Sequence, residues 1–446
     1  MKFGGTSVGD VAAFERVIGI VSSQIDKKPV VVVSAMTKVT DALLNAFEIA
    51  KKGEIENAIL SLDAHFERHQ EVSKHFLTEA QQKLFQVELD FAQKELSELL
   101  MRVSRRSLPL SMLKDAIVSY GEQLSSRLLA EVLKSKNINA RQMDSRRLIV
   151  TDDEYGAAVP IWEETEKLIQ LELENLIKAG EVPVMGGFIA ASRSGETTTL
   201  GRGGSDYSAA LVAAALHAGE LQIWTDVTGV MTCDPRICGE ARTIPVLSYE
   251  EAAELAYFGA KVLHPKTIQP AVDYAIPVRV CNTFEPDVIG TMVLSKSDEA
   301  PNKIKSIAHK KNITILRISS ARMLGSYGFM SALFQVFERY RTVIDVISTS
   351  EVSVALTLDN TASLENIVTE LKRLGDVEVE PNYAVICVVG EGLRSSSGLA
   401  SKIFSTLSDI NISLISHGAS SVNLTFVVKE DLVSEVIKRL HNEFFK

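Results

Sequence analysis

Two glycine clusters define the chemistry open to this sequence. Lys2-Phe-Gly-Gly-Thr-Ser7 puts a lysine at a strand end, two glycines behind it and hydroxyls opening a helix. Glycine lets a phosphate approach the backbone, and N–H groups at a helix start bind anions. No G-x-x-x-x-G-K-[ST] occurs, so this is not a Walker loop. The second cluster, Leu200-Gly-Arg-Gly-Gly-Ser-Asp206, precedes a small-residue helix. It suits an anion site at a helix start, with Arg202 as a bidentate carboxylate clamp. It is not the dinucleotide G-x-G-x-x-G, and no ribose-binding acid follows at the expected distance. A third cluster, Trp224-Thr-Asp226 followed by Gly229 and Asp234-Pro-Arg236, suits a nucleotide edge at the C-terminal rim of a sheet. Phe258 to Lys261, followed by His264-Pro265, adds a second lysine. Ser34 to Thr40 adds hydroxyls, and Ser119 to Glu122 adds a carboxylate. Taken singly, each has a plainer structural reading: Gly4-Gly5 a tight turn, Arg202 a surface ion pair, Asp206 a helix N-cap.

These loops need a scaffold. Short β-branched runs (29–33, 181–185, 221–224, 276–280) alternate with amphipathic stretches up to about residue 295. That pattern predicts a mainly parallel sheet with helices on both faces. Residues 53–104, rich in Glu, Lys, Gln and Leu, read as a helical excursion from that sheet. His65 and His69 stand there at i, i+4, but no third metal ligand is evident, so both are expected on a solvated helix face. Residues 295–305 turn polar and read as a linker. A weak internal repeat of βαββα pattern follows. The second copy stops at its helix, leaving one sheet edge open. The alternating segment 303–309 is expected to fill that place, so that the first copy is inserted within the second. The resulting division is 1–295, 306–380 and 381–446, the last completed by 303–309.

Composition narrows the class. The net charge of −10 argues against a nucleic-acid partner, because phosphate backbones need a basic face. The apolar runs are strand-length, so no membrane span is expected. The start MKFGG carries no charged and apolar leader, and the expected location is cytoplasmic. Cys233, Cys238, Cys281 and Cys387 read as reduced structural cysteines.

In this order, KFGGTS, GRGGSD, WTDVxG, DPR and FGAKVLHP resemble the aspartate kinases of the amino-acid-kinase family. The C-terminal repeat is similar to that family's paired ACT domains, and the resemblance covers essentially the whole chain. It implies an α/β amino-acid-kinase fold followed by two ACT-like βαββαβ units. The implied reaction is transfer of the ATP γ-phosphoryl group to the side-chain carboxylate of aspartate, giving 4-phospho-L-aspartate. That is the first step toward lysine and diaminopimelate, methionine and threonine. Lys2 and Lys261 would neutralise the transferring group, and Asp206 would organise the lysine and phosphate site. Gly4, Gly5, Thr6 and Ser7 would cradle phosphate. Arg202 would hold the α-carboxylate of aspartate and Glu122 its α-ammonium, with Ser34, Thr40 and Ser205 supplying hydrogen bonds. Thr225, Asp226, Met231 and Arg236 would line the nucleotide, with Met231 standing where relatives carry tyrosine. ATP would come with Mg2+. A carboxylate nucleophile is already ionised at pH 7, so no general base is required. The alternatives are another carboxylate kinase of this family and a non-catalytic amino-acid sensor.

The turn Met323 to Phe329 precedes a helix, so its N–H groups suit an α-carboxylate. Asp345 and Thr349-Ser350-Glu351 follow. Two carboxylates suit a ligand with two ammonium groups, and this wording resembles the lysine-sensitive aspartate kinases. The expected effector is lysine, held by Met323, Ser326, Asp345, Thr349, Ser350 and Glu351. Asp345 would take the α-ammonium and Glu351 the side-chain ammonium, or the reverse. Two ACT-like units leave sheet edges to cover, so a homodimer through residues 306–446 is expected.

Overall fold

The computed structural model describes residues 1–259, 263–295, 303–325 and 327–446. Lys261, Ser326 and most of the linker lie outside them. The chain forms two compact units, one of residues 1–229 with 264–295 and the other of residues 230–263 with 296–446.

In the first unit the strands run in the order Ala140–Met143, Val182–Gly186, Val31–Val33, Lys2–Phe3, Leu221–Thr225, Val278–Asn282 and Thr291–Leu294. All neighbours pair in parallel except the last two strands. The central strands are apolar on both faces, as a covered parallel sheet demands, and Val31, Val32 and Val33 are all buried. Phe3 stacks on Trp224 across neighbouring strands at 6.0 Å. The functional loops leave the C-terminal ends of adjacent strands: Gly4 after Phe3, Ser34 after Val33, Gly187 after Gly186 and Asp226 after Thr225. That rim is where open α/β sheets bind ligands.

The excursion consists of the helices Ile55–Leu60, Asp63–Phe76 and Glu79–Arg105. One expectation fails here, because His69 is 1% exposed. Phe66, His69, Val72, Ser73 and Phe76 form the inward stripe of their helix at i, i+3, i+7 spacing, so His69 occupies a core position. Its Nδ1 lies 2.7 Å from the carbonyl oxygen of His65, and burial lowers its pKa to about 4.

In the second unit one sheet runs Ile347–Thr349, Ser353–Leu358, Ile304–Ser319, Asp376–Gly390, Asn423–Lys429, Leu414–His417. The two long central strands pair antiparallel from Ser319 opposite Asp376 to Ile304 opposite Gly390. Residues 304–310 thus lie against 385–390, the opening strand of the second repeat, and 313–319 lie against 376–383. Helices Phe329–Arg339 and Leu364–Leu371 pack on one part of this sheet, and Leu399–Thr406 and Val433–Phe445 on the other.

Residues 230–263 group with this sheet rather than with the rest of residues 1–295. Ile307 N–H donates to the Thr232 carbonyl at 2.8 Å, and Ser306 Oγ donates to that of Met231 at 2.8 Å. Lys305 pairs with Glu251 at 2.9 Å, both side chains being almost wholly buried.

Candidate active site

A cavity of about 440 Å³ at the rim of the first unit gathers residues from distant parts of the chain. Lys2, Gly5, Ser34, Thr40, Glu122, Arg202, Ser205 and Asp206 all line it. Lys2 enters from the central strand and Asp206 from the first turn of the helix Gly204–Ala215. Gly203 caps that helix at φ 74°, a left-handed conformation that favours glycine, and a Cβ there would lie 2.7 Å from Thr267 Cγ2. Ser34 Oγ donates to Ser205 Oγ at 3.0 Å, tying the two loops together. Gly5 approaches so closely that a Cβ would stand 2.9 Å from the Ala35 carbonyl oxygen.

Glu122 is the most perturbed group of the cavity. It is 3% exposed, and Oε1 accepts the Ala35 N–H at 3.1 Å. Oε2 is buried and accepts no hydrogen bond from a described residue. Burial pushes the carboxyl up to about 8, against the partial relief of backbone hydrogen bonds. A carboxylate so placed gains most from an incoming cation. Arg202, by contrast, is exposed and forms no ion pair with any described residue, so its guanidinium is free to take a carboxylate.

Other expectations fare differently. The Ser7 side chain is withdrawn from any phosphate: it is fully buried, and its hydroxyl lies 2.7 Å from Thr283 Oγ1. Thr6 is exposed, and Gly4 N–H is taken by the Trp224 carbonyl at 3.1 Å. Thr225 Oγ1 donates to Asp226 Oδ1 at 3.1 Å at the end of the neighbouring strand. Met231 and Arg236 belong to the second unit, where Arg236 pairs with Asp234 at 2.7 Å. In the second unit Asp345 accepts from Lys310 Nζ at 2.8 Å and from the Tyr257 hydroxyl. Asp345 Oδ2 is buried without a described donor. Thr349 ends the edge strand, Ser350 and Glu351 form its exposed turn, and Met323 ends a short 3-10 helix.

Two positioning residues carried no signal in the sequence. Arg68 donates to the carbonyls of Thr37 at 2.9 Å and Gly9 at 3.1 Å, holding the 34–38 loop beside the first glycine turn. Asp115, buried, accepts the N–H groups of Gly156 and Thr199 at 2.8 Å each. Both lie on helices and act on loop backbone, which residue spacing does not reveal.

Residues 1–282 match the amino acid kinase family, and residues 386–444 match an ACT domain. The fold is therefore that of an amino-acid kinase followed by a C-terminal ACT region. Lysine-sensitive aspartokinase 3 of Escherichia coli K12 is 37% identical, spanning all of this chain and 98% of that protein. Chloroplastic aspartokinase 3 of Arabidopsis thaliana is 38% identical over all of this chain and 81% of its own. Among solved structures, E. coli aspartokinase III in complex with aspartate and ADP (R-state) has a TM-score of 0.83 at 37% identity, covering 100% and 99% of the two chains. The same enzyme in complex with lysine and aspartate (T-state) has a TM-score of 0.84 at 36% identity, with the same coverage. This chain belongs to the aspartokinases of the amino acid kinase family.

Proposed function

We propose that this chain phosphorylates the side-chain carboxylate of L-aspartate at the expense of ATP and is inhibited by lysine. The observation that carries the reading is the single cavity that brings Arg202, Glu122 and the Lys2–Asp206 pair together. Arg202 takes the α-carboxylate as a planar fork, and Glu122, short of one partner, takes the α-ammonium. Ser34, Thr40 and Ser205 complete the hydrogen bonding, and the β-carboxylate is left facing Lys2. The reaction needs alignment and charge stabilisation rather than a base. Lys2, held by Asp206, stabilises the charge that moves to the transferring oxygens, and Lys261, outside the described residues, has the same role. Gly4, Gly5 and Thr6 approach the phosphates. Thr225 and Asp226 line the nucleotide, and Met231 and Arg236 keep the nucleotide role that the resemblance implies.

The carboxylates at the cavity suit a Mg2+ carried by the nucleotide rather than a protein cage: Asp206 is already paired with Lys2, and Glu122 is buried. Mg2+ carried with the nucleotide would supply neutralisation of phosphate charge.

Lysine binds at Met323, Asp345, Thr349, Ser350 and Glu351, with Ser326 outside the described residues. The orphaned Asp345 Oδ2 supports an ammonium site. The chain pairs as a homodimer through its regulatory sheet, whose edge strands are Ile347–Thr349 and Leu414–His417. It works in the cytoplasm, and no described helix is long and apolar enough to cross a membrane. The deciding experiment is ADP release with a panel of amino acids. Turnover with aspartate alone is expected, and none with aspartate would overturn the reading.

A further inference from the structure

Two cysteines bracket the loop that carries Arg236, and a histidine 203 residues beyond the second one closes on them. Cys233, Cys238 and His441 are 4%, 7% and 1% exposed. One ligand atom from each lies within 4.8 Å of the other two. Cys238 Sγ is 3.5 Å from His441 Nδ1. A tetrahedral zinc ion, with bonds of about 2.3 Å to sulfur and about 2.05 Å to nitrogen, holds such a pair about 3.6 Å apart. The observed separation matches two corners of such a shell without rearrangement. The C-x4-C spacing lies within the range of zinc sites.

The other ring nitrogen gives an independent indication. His441 Nε2 lies 3.0 Å from Thr232 Oγ1. That oxygen is itself anchored, because it accepts the Arg242 N–H at 3.1 Å. A metal-bound imidazole typically donates its second N–H to such a fixed acceptor, which leaves the lone pair of the first nitrogen for the ion. Phe445 stacks on the ring at 4.8 Å and fixes its plane.

We propose that Cys233, Cys238 and His441 form a three-ligand site for a zinc-type divalent cation, which clips the Asp234-Pro-Arg236 loop to the helix Val433–Phe445. Binding converts two thiols to thiolates and releases two protons to solvent, with water as the fourth ligand. Nothing is oxidised or reduced. Two protons per ion make the affinity rise by about 100-fold per pH unit while both thiols are protonated.

The test is Co2+ titration of the reduced full-length protein, followed by absorption and then displaced by Zn2+. One Co2+ per chain is expected, with thiolate-to-cobalt charge transfer and tetrahedral ligand-field bands. Cys238→Ser should weaken the charge-transfer band by about half or more, and Cys233→Ser with Cys238→Ser should abolish it. Thr232→Val, which spares all three ligands and preserves side-chain size, should weaken binding by about 10-fold. Three results would overturn the site: no stoichiometric binding by folded wild type, a spectrum indifferent to these variants, or a pH slope of zero or one proton. So would mass spectrometry showing that the two thiols close to a disulfide and never take up the ion. A further readout rests on the nucleotide role proposed for Arg236: Zn2+ should change the ATP KM. An unchanged KM with stoichiometric Zn2+ bound counts against that role and not against the site.

Discussion

Lys2 Nζ stands 2.7 Å from Asp206 Oδ1, joining the central strand of the sheet to the first turn of the helix Gly204–Ala215. Their side chains are only 12% and 16% exposed, so this charge contact is poorly screened, although Oδ1 accepts no aligned hydrogen bond from a described residue. A lysine without that partner would sample several rotamers at the mouth of the cavity.

Lys2→Met removes the charge, and Asp206→Asn removes only what aims it. Both should lower kcat, by about 100-fold or more for Lys2→Met, since such charges act most strongly in the transition state. The aspartate KM should move far less. Steady-state kinetics of both variants decides the matter, and wild-type turnover in either would make the pair structural.

Arg202→Lys keeps a positive charge but loses the planar fork. We expect kcat/KM for aspartate to fall by the equivalent of about 2–4 kcal/mol, with the ATP KM nearly unchanged. An unaltered aspartate KM and kcat would remove Arg202 from the substrate site.

Glu122 makes a pH-dependent prediction. Its carboxyl titrates near 8 when folded, against 4.5 for the unperturbed group. Between those values the folded chain holds a proton that the unfolded chain has released, so Glu122 makes stability fall as pH rises through this window. Glu122→Gln should therefore raise the Tm of the ligand-free protein at pH 7. It should also raise the aspartate KM, because the amide cannot pair with an ammonium. In wild type, aspartate binding should strengthen as pH climbs toward 8 and release a proton, which calorimetry in buffers of different ionisation enthalpy would detect. A variant with neither effect would show that Glu122 is an ordinary buried acid.

The regulatory prediction rests on Asp345 and Glu351. Asp345→Ala leaves Lys310 paired with Asp359 at 2.7 Å, so the fold should survive. Each of Asp345→Ala and Glu351→Ala should shift lysine inhibition to at least about 10-fold higher concentration without changing uninhibited kcat. An effector acts only by binding one conformation better than the other, so lost contacts lower sensitivity and nothing else. Wild type that ignores millimolar lysine, or two fully sensitive variants, would end this proposal.

The catalytic rim was legible because its chemistry demands particular residue types at strand ends: Lys2, Arg202 and Asp206 announce themselves beside glycines. Ser7 misled because a hydroxyl after two glycines reads alike whether it faces a phosphate or Thr283. The zinc-type triad escaped because His441 comes from the far end of the chain. Strand Asp376–Gly390 contains Pro381, which donates no hydrogen bond and ordinarily interrupts a central strand. The chain runs through it all the same. The opposite strand is bulged between Lys310 and Ile315, with Asn312 at φ 58°, and Asn382 adopts φ 65° beside the proline.

The two long strands of the regulatory half have a mechanical meaning. Ile304–Ser319 and Asp376–Gly390 each serve one repeat with one half and the other repeat with the other. The inner strands of each repeat pair with one another, and the two repeats are joined through the unbroken backbone of both long strands. Amide exchange is the measurement that tells whether the two ladders open together or separately. A strain imposed at the Met323 end meets the bulged stretch between Lys310 and Ile315, where the ladder shifts register at the junction of the two repeats.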